Sequence, residues 1–314
     1  MRLVFCGTPE FAVPSLEAVA KAGHDVQLVV TQPDRPVGRK QEIAEPAVKQ
    51  AARRMGIEVV QPEKIRKNAE FEARLREIQP DAIAVVAYGR IIPPWMLTLP
   101  RLGNINVHGS LLPEYRGAAP IQWALANGET VTGVTTMQLD EGLDTGPMLL
   151  QRTLAVGAEE TAAELFPRLA VMGAELLVET LEGLEAGSLT PVPQDEWLAS
   201  LAPLLKREDG RMDFSRTAHE IFNRWRGFQP WPGAYTNYRG EKLIARTVAV
   251  AAEAGVVEDS VEGGTLVFAE DELLVACGEG SWLELVEVQL AGKTPVTGAE
   301  FVRGHGLRAG ERLT

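Results

Sequence analysis

The chain has 314 residues, 45% hydrophobic and 24% charged, with a formal net charge of −12. This length is enough for two domains, and the composition is that of an ordinary globular enzyme rather than a disordered or fibrous chain. A uniformly acidic surface repels polyanions, which excludes general nucleic-acid binding unless basic residues gather on one face.

Two cysteines, Cys6 and Cys277, are too few for a disulfide framework and predict a reducing, cytoplasmic setting. Neither has a second ligand at metal-binding spacing, so no metal is expected. The longest apolar runs, such as 82–87, are strand-length, and the chain opens in a strand without a signal-peptide pattern. No membrane contact is expected.

In chain order, residues 1–31 read as β-α-β. A strand covers 3–6. A helix follows to about Ala22, with Thr8 as N-cap and Pro9 at its first position, and Gly23 stops it. The second strand covers 26–30. The first turn has one glycine, not Gly-x-Gly-x-x-Gly, so the dinucleotide fingerprint is missing. Glu10 also puts negative charge where a phosphate would sit. Residues 33–46 read as a polar loop too long for an ordinary β-α connection, carrying Arg35, Arg39 and Lys40 against Glu42 and Glu45. Helices are predicted over 47–55 and 68–78, and strands over 58–60 and 82–86. Tyr88-Gly-Arg-Ile-Ile-Pro93 is then a turn, and its residues alone leave open whether it lines a ligand or starts the next helix.

Residues 104–108 alternate Ile105 and Val107 with Asn106 and His108, which predicts a strand carrying carboxamide and imidazole on one face. Gly109 ends it, and Pro113, Gly117 and Pro120 make a long stiff loop. Open α/β sheets place their sites at such strand ends. An Asn can donate to a tetrahedral oxyanion, and a His can move a proton near neutral pH. The alternative is structural: Asn106 ties down a loop and His108 fills a core site.

A helix is predicted over 118–126 and a strand over 131–137. Asp144 follows in an Asp- and Gly-rich loop, where a lone Asp is ordinarily an Asx-turn former. A strand over 148–154 precedes a capping box at Thr161 and Glu164, which opens a helix to about Ala186. Pro167 predicts a kink or a later start. This alternation indicates a doubly wound, mostly parallel α/β sheet. Residues 1–189 are read as one domain, 190–206 as a linker and 207–314 as a second domain. The latter has a helix over 217–226 and short strands over 235–238, 243–249, 265–268, 273–277 and 283–290, which suit a small β-barrel. It carries 12 Lys and Arg against 17 Asp and Glu, so any basic face must be local; Arg207, Arg211, Arg216, Arg224 and Arg226 are the candidates. His219 and His305 have no partner motif and read as structural.

Asn106-Val-His-Gly-Ser-Leu-Leu-Pro-x-Tyr-Arg-Gly-Ala-Ala-Pro-Ile, with Asp144 in Leu139-Asp-Glu-Gly-Leu-Asp-Thr-Gly-Pro-Met148, resembles the paired signatures of the 10-formyltetrahydrofolate-dependent formyltransferases. Gly7-Thr-Pro-Glu-Phe11, Thr31-Gln-Pro-Asp-Arg-Pro36, Val86-Ala-Tyr-Gly89 and Phe228-Gln-Pro-Trp-Pro-Gly233 extend the likeness over nearly the whole chain. The resemblance implies 10-formyltetrahydrofolate as co-substrate and Asn106, His108 and Asp144 as catalytic residues. It implies that Tyr88, Arg90, Ile91, Ser110, Leu111, Leu112 and Pro113 line the folate site. It also implies an OB-like, tRNA-binding second domain and a monomer acting on initiator methionyl-tRNA, with Arg39 near the acceptor end and Phe11 walling an apolar pocket. Gly109 and Ala118 differ from the Pro and Arg of relatives that formylate amino-sugar nucleotides. A hydrolase of the same donor, or a folate- or RNA-binding protein without catalysis, remain the alternatives.

Overall fold

In chain order the computed structural model runs β1 (Arg2–Gly7), α1 (Val13–Lys21), β2 (Asp25–Val30), β3 (Arg35–Val37), β4 (Glu42–Ala44), α2 (Ala47–Arg54), β5 (Val59–Val60), α3 (Ala69–Ile78), β6 (Ala82–Val86), α4 (Pro94–Leu97), β7 (Asn104–His108) and α5 (Pro120–Ala126). It continues with β8 (Val131–Gln138), β9 (Met148–Ala155), α6 (Ala162–Glu185), α7 (Ala218–Gly227), β10 (Ala234–Tyr238), β11 (Glu241–Val250), β12 (Leu266–Ala269), β13 (Glu272–Ala276), β14 (Trp282–Leu290), β15 (Val296–Thr297) and α8 (Gly298–His305). The structure describes residues 1–38, 41–251, 261–269, 271–308 and 310–314. Among them no helix is long and apolar enough to cross a membrane.

The chain divides into two units, each assembled from separate stretches of the sequence. The first comprises Met1–Pro120, Val131–Ala155 and Leu165–Pro203; the second comprises Ile121–Thr130, Val156–Glu164 and Leu204–Thr314. Residues read as linker up to Pro203 thus belong by contact to the first unit.

In the first unit one sheet has the order β5-β2-β1-β6-β7-β8-β9. Pairing is parallel from β5 to β7, and β8 runs against both neighbours. The connection from β8 to β9 is too short for a crossover, which requires a dozen or more residues, so β9 returns antiparallel. β6 is buried throughout, as its unbroken apolar run requires of a strand covered on both faces. Phe71, Leu75 and Ile78 of α3 pack with Val4, Ile83 and Val85 on one face. Burying each such side chain stabilises by roughly 1.5–3 kcal/mol. The Asn68 side chain caps α3 by accepting from the Phe71 N–H at 3.0 Å.

α6 covers the other face of β7 and β8. Gly173 lets the helix approach closely, since a Cβ there would lie 2.7 Å from Val107 Cγ1. The Thr136 and Thr180 hydroxyls meet at 2.7 Å across the same interface. α6 begins at Ala162, with no later start, and carries Pro167 inside it. So near the helix start, Pro removes a single ladder hydrogen bond.

Two further expectations are corrected. Thr8 does not cap a helix; its hydroxyl donates to the Tyr88 carbonyl at 3.1 Å, a 3₁₀ turn spans Glu10–Ala12, and α1 starts at Val13. The polar loop after β2 is folded as a hairpin, β3 paired antiparallel with β4. Its base is held by Lys49, whose ammonium donates to both Asp34 carboxylate oxygens at 2.8 and 2.7 Å.

The second unit is built on an antiparallel sheet of order β10-β11-β14-β13-β12, with β15 on β14. Residues 311–314 close it. Leu313 N–H donates to Gly264 and Leu266 N–H to Glu311, while Asn237 and Thr314 exchange backbone bonds at 2.9 and 3.1 Å. This gives the expected small barrel. Its core joins Phe214, Ile221, Leu243, Val275, Leu285, Val288 and Phe301. α8 was not expected, although Thr297 and Glu300 form a reciprocal capping box.

Of the five candidates for a local basic face in this unit, Arg216, Arg224 and Arg226 are engaged by other groups of the chain. Arg216 pairs with Asp213 at 3.7 Å and Glu220 at 3.6 Å. Arg224 lies over the Trp123 and Phe228 rings at 5.6 and 4.9 Å, and Arg226 is buried, donating to the Gly157 and Glu160 carbonyls. Arg207 and Arg211 remain exposed.

Candidate active site

β1, β6 and β7 are sheet neighbours, and their carboxyl ends form one edge. The loops leaving that edge carry Phe11, then Tyr88 to Ile91, then Ser110 to Pro113. The order reverses around β1, which is where open α/β sheets leave a crevice.

Strand alternation puts Asn106 and His108 on the face opposite Val107, which packs under α6. Asn106 is half-buried and His108 is 5% exposed. Asp144 approaches His108 from the β8–β9 loop. That loop leaves beside Asn104, whose carbonyl accepts from the Leu139 N–H at 2.8 Å, and folds back along the sheet. The Asp144 backbone is left-handed, φ 54°, a conformation that Asp tolerates better than most residues. Its Oδ2 accepts from the Gly117 N–H at 2.9 Å and stands 3.8 Å from His108 Nδ1.

The other imidazole nitrogen, Nε2, lies 2.9 Å from the Tyr115 carbonyl. A carbonyl only accepts, so Nε2 carries the proton. Burial lowers the His108 pKa below the usual histidine value, opposed by the Asp144 carboxylate and the Tyr115 carbonyl. The neutral ring therefore presents a bare Nδ1 to Asp144. At 3.8 Å, two acceptors leave a place for a third group that donates to both. The separation is too long for a direct hydrogen bond between the two and suits a bridging donor.

The signature loop is riveted by a buried threonine opposite His108. Thr135 Oγ1 donates to the Ser110 carbonyl at 2.7 Å and accepts from the Leu112 N–H at 3.0 Å and from Gln151 Nε2 at 2.9 Å. Gln151 also donates to the Leu112 carbonyl at 2.8 Å. Ser110 turns inward, its hydroxyl donating to the Glu114 carbonyl at 2.7 Å.

A family model described as formyl transferase matches residues 1–181, and one described as formyl transferase, C-terminal domain, matches residues 204–306. The chain belongs to the formyl transferase family. A methionyl-tRNA formyltransferase from Acidobacterium capsulatum is 60% identical over 100% of this chain and 99% of its own length. One from Koribacter versatilis is 56% identical over 100% and 98%. Among solved structures, an N-formyltransferase from Helicobacter canadensis, in complex with folinic acid and dTDP-3-aminofucose, aligns with a TM-score of 0.64 at 19% identity, covering 90% of this chain and 97% of that one. WlaRD, a sugar 3N-formyl transferase crystallised with dTDP and 5-N-formyl-THF, gives 0.63 at 19%, covering 94% and 99%. At those identities the likeness is one of fold.

In this formyl transferase the other expected site residues are distributed unevenly. Leu111 is half-buried, and Leu112 and Pro113 continue the riveted loop. On the neighbouring loop Ile91 is 90% exposed, whereas Tyr88 is 2% exposed and its ring packs with Val4, Val85 and Met96. Its ring is core, and its carbonyl is taken by Thr8 and Gln32. Arg90 donates to the Glu63 carbonyl, anchoring this loop to the segment after β5. Phe11 stands edge-on to Phe166 at 5.9 Å, which supplies a second apolar ring that the sequence reading had not paired with it. Arg39 lies outside the described residues. Thr135, Gln151 and Phe166 went unread because their partners are distant in sequence. Thr135 sat in a strand whose β-branched pattern accounts for it without any polar role.

Proposed function

We propose that this formyl transferase moves the formyl group of 10-formyltetrahydrofolate to the α-amine of methionine esterified to initiator tRNA. The observation that carries the reading is the bare His108 Nδ1 held 3.8 Å from the Asp144 carboxylate. Support for the acceptor comes from the full-length relatives named for methionyl-tRNA. Support for the donor comes from neighbours of this fold crystallised with reduced folates.

The amine nitrogen forms the new bond to the formyl carbon, and the carbonyl electrons move onto oxygen. Asn106 donates to that oxyanion; loss of one such donor costs about 2.7–4 kcal/mol in comparable sites. As the nitrogen gains positive charge, its N–H lies in the gap between Nδ1 and Asp144. His108 takes the proton, and Asp144 stabilises the imidazolium. The bond to N10 then breaks, and the proton passes to N10 as tetrahydrofolate leaves. No side-chain nucleophile is required.

The folate lies along the loops after β6 and β7, with Leu111 and Ile91 as the apolar surface there. Phe11 and Phe166 receive the methionine side chain, and Arg39 contacts the acceptor end. Asn106, His108 and Asp144 all lie in the first unit of one chain, so the chemistry as proposed needs no residue of a second copy, and a monomer is the proposed acting species. Two buried free thiols suit a cytoplasmic enzyme.

Labelled 10-formyltetrahydrofolate, incubated in parallel with methionyl-initiator tRNA, methionyl-elongator tRNA and a dTDP-amino sugar, tests this. Label is expected on the initiator species. Label on the sugar, or release as formate in all arms, contradicts it.

A further inference from the structure

Residues 190–203, Pro-rich and lacking any helical or strand periodicity, strap the two loops that form the active site. Val192 bridges Met148 at the start of β9. The Ser200 hydroxyl accepts from the Tyr115 N–H at 2.8 Å, and the Ser200 carbonyl accepts from the Arg116 N–H at 2.8 Å. Ala202 N–H donates to the Arg116 carbonyl at 2.7 Å.

Gln194 is the junction of this strap. It is half-buried in a run whose other members from Val192 to Leu198 are exposed. Its Nε2 donates to the Asp144 carbonyl and the Gly146 carbonyl, each at 2.8 Å, and its Oε1 accepts from Arg116 Nε at 2.9 Å. The orientation of the amide is forced, because the carbonyls only accept and guanidinium only donates. Arg116 is itself buried and bidentate to Glu196, at 2.9 Å on both arms. One carboxamide therefore joins the signature loop to the Asp144 loop. Both loops also contain a non-glycine residue in the left-handed region, Tyr115 at φ 61° and Asp144 at φ 54°, which persists only when the surroundings hold it. Tyr115 is held at its N–H by Ser200, and Asp144 at its carbonyl by Gln194.

We propose that Gln194 is a positioning residue for formyl transfer: it fixes the Asp144 backbone so that the carboxylate stays opposite His108 Nδ1. The inference rests on the catalytic reading of Asp144 given above. Gln194 touches no reacting atom, so its effect passes through Asp144.

Gln194→Glu separates the two arms. A carboxylate still accepts from Arg116 but cannot donate to the Asp144 and Gly146 carbonyls. Kinetics of formyl transfer to methionyl-tRNA should show kcat falling about tenfold or more with donor and acceptor KM within about twofold. Gln194→Ala serves as the second variant should the glutamate disturb folding. The deciding measurement is a double-mutant cycle: in an Asp144→Ala background, Gln194→Glu should cause no further loss of kcat. Wild-type kcat in both Gln194 variants, or an equal loss in the Asp144→Ala background, overturns the positioning role alone. An Asp144→Ala enzyme as fast as wild type overturns it through the catalytic reading instead.

Discussion

His108 Nδ1 stands 3.8 Å from Asp144 Oδ2 while His108 Nε2 is 2.9 Å from the Tyr115 carbonyl. The second contact fixes the tautomer, and the tautomer makes the first separation useful: the pair becomes two acceptors with a donor-sized gap. His108→Gln keeps an amide able to donate to Tyr115 but removes the base. It should lower kcat about 10²–10⁴-fold. Asn106→Ala should lower it about 10²–10³-fold. Steady-state kinetics with saturating donor check both, and kcat near wild type in either removes that residue from the mechanism.

Burial holds the His108 pKa below its usual value of about 6.5. Below that pH the unfolded chain binds the proton and the folded chain resists it. Stability contributed by neutral His108 is therefore full above about pH 6.5 and declines as pH falls toward the folded-state pKa. Urea unfolding at pH 7.5 and 5.5 should show wild type losing more stability on acidification than His108→Gln. Parallel losses would mean that the imidazole is not held neutral by the fold.

The elements legible in the sequence are those with a local pattern. The Ile105–Val107 alternation and the uniform run of β6 each act within a few residues, and each is where it was expected. What escaped depends on pairing across long stretches. The β3–β4 hairpin has three-residue strands, too short for a period to register. The strap at 190–203 has no period, and its role lies in single polar atoms such as Gln194 Nε2, whose partners are about 50 residues away. α8 was not expected, although its Thr297–Glu300 capping box is a local pattern. Arginines 216, 224 and 226 looked like a basic face because sequence does not show that carboxylates, rings and carbonyls already engage them.

Thr135 is fully buried and bridges Ser110 to Leu112 through its hydroxyl. Thr135→Val keeps the shape and strands a buried N–H and a buried carbonyl. The variant should lose about 1–3 kcal/mol of stability in urea titration, with a raised KM for the folate donor. Unchanged stability and KM would show that the loop does not depend on this hydroxyl.

Arg39, outside the described residues, follows β3 in the sequence. Arg39→Ala should raise KM for methionyl-tRNA, or lower kcat/KM, with donor KM unchanged, and the loss should shrink as salt rises. If tRNA kinetics match wild type at low salt, this segment does not contact the acceptor.

The central claim is that His108 takes the proton released as the amine attacks, with the Asp144 carboxylate stabilising the imidazolium. Asp144→Asn preserves the size of the side chain and removes its charge. Single-turnover transfer from pre-bound 10-formyltetrahydrofolate to methionyl-tRNA should slow about 10²–10⁴-fold, with acceptor affinity unchanged. A rate within about twofold of wild type would contradict the account.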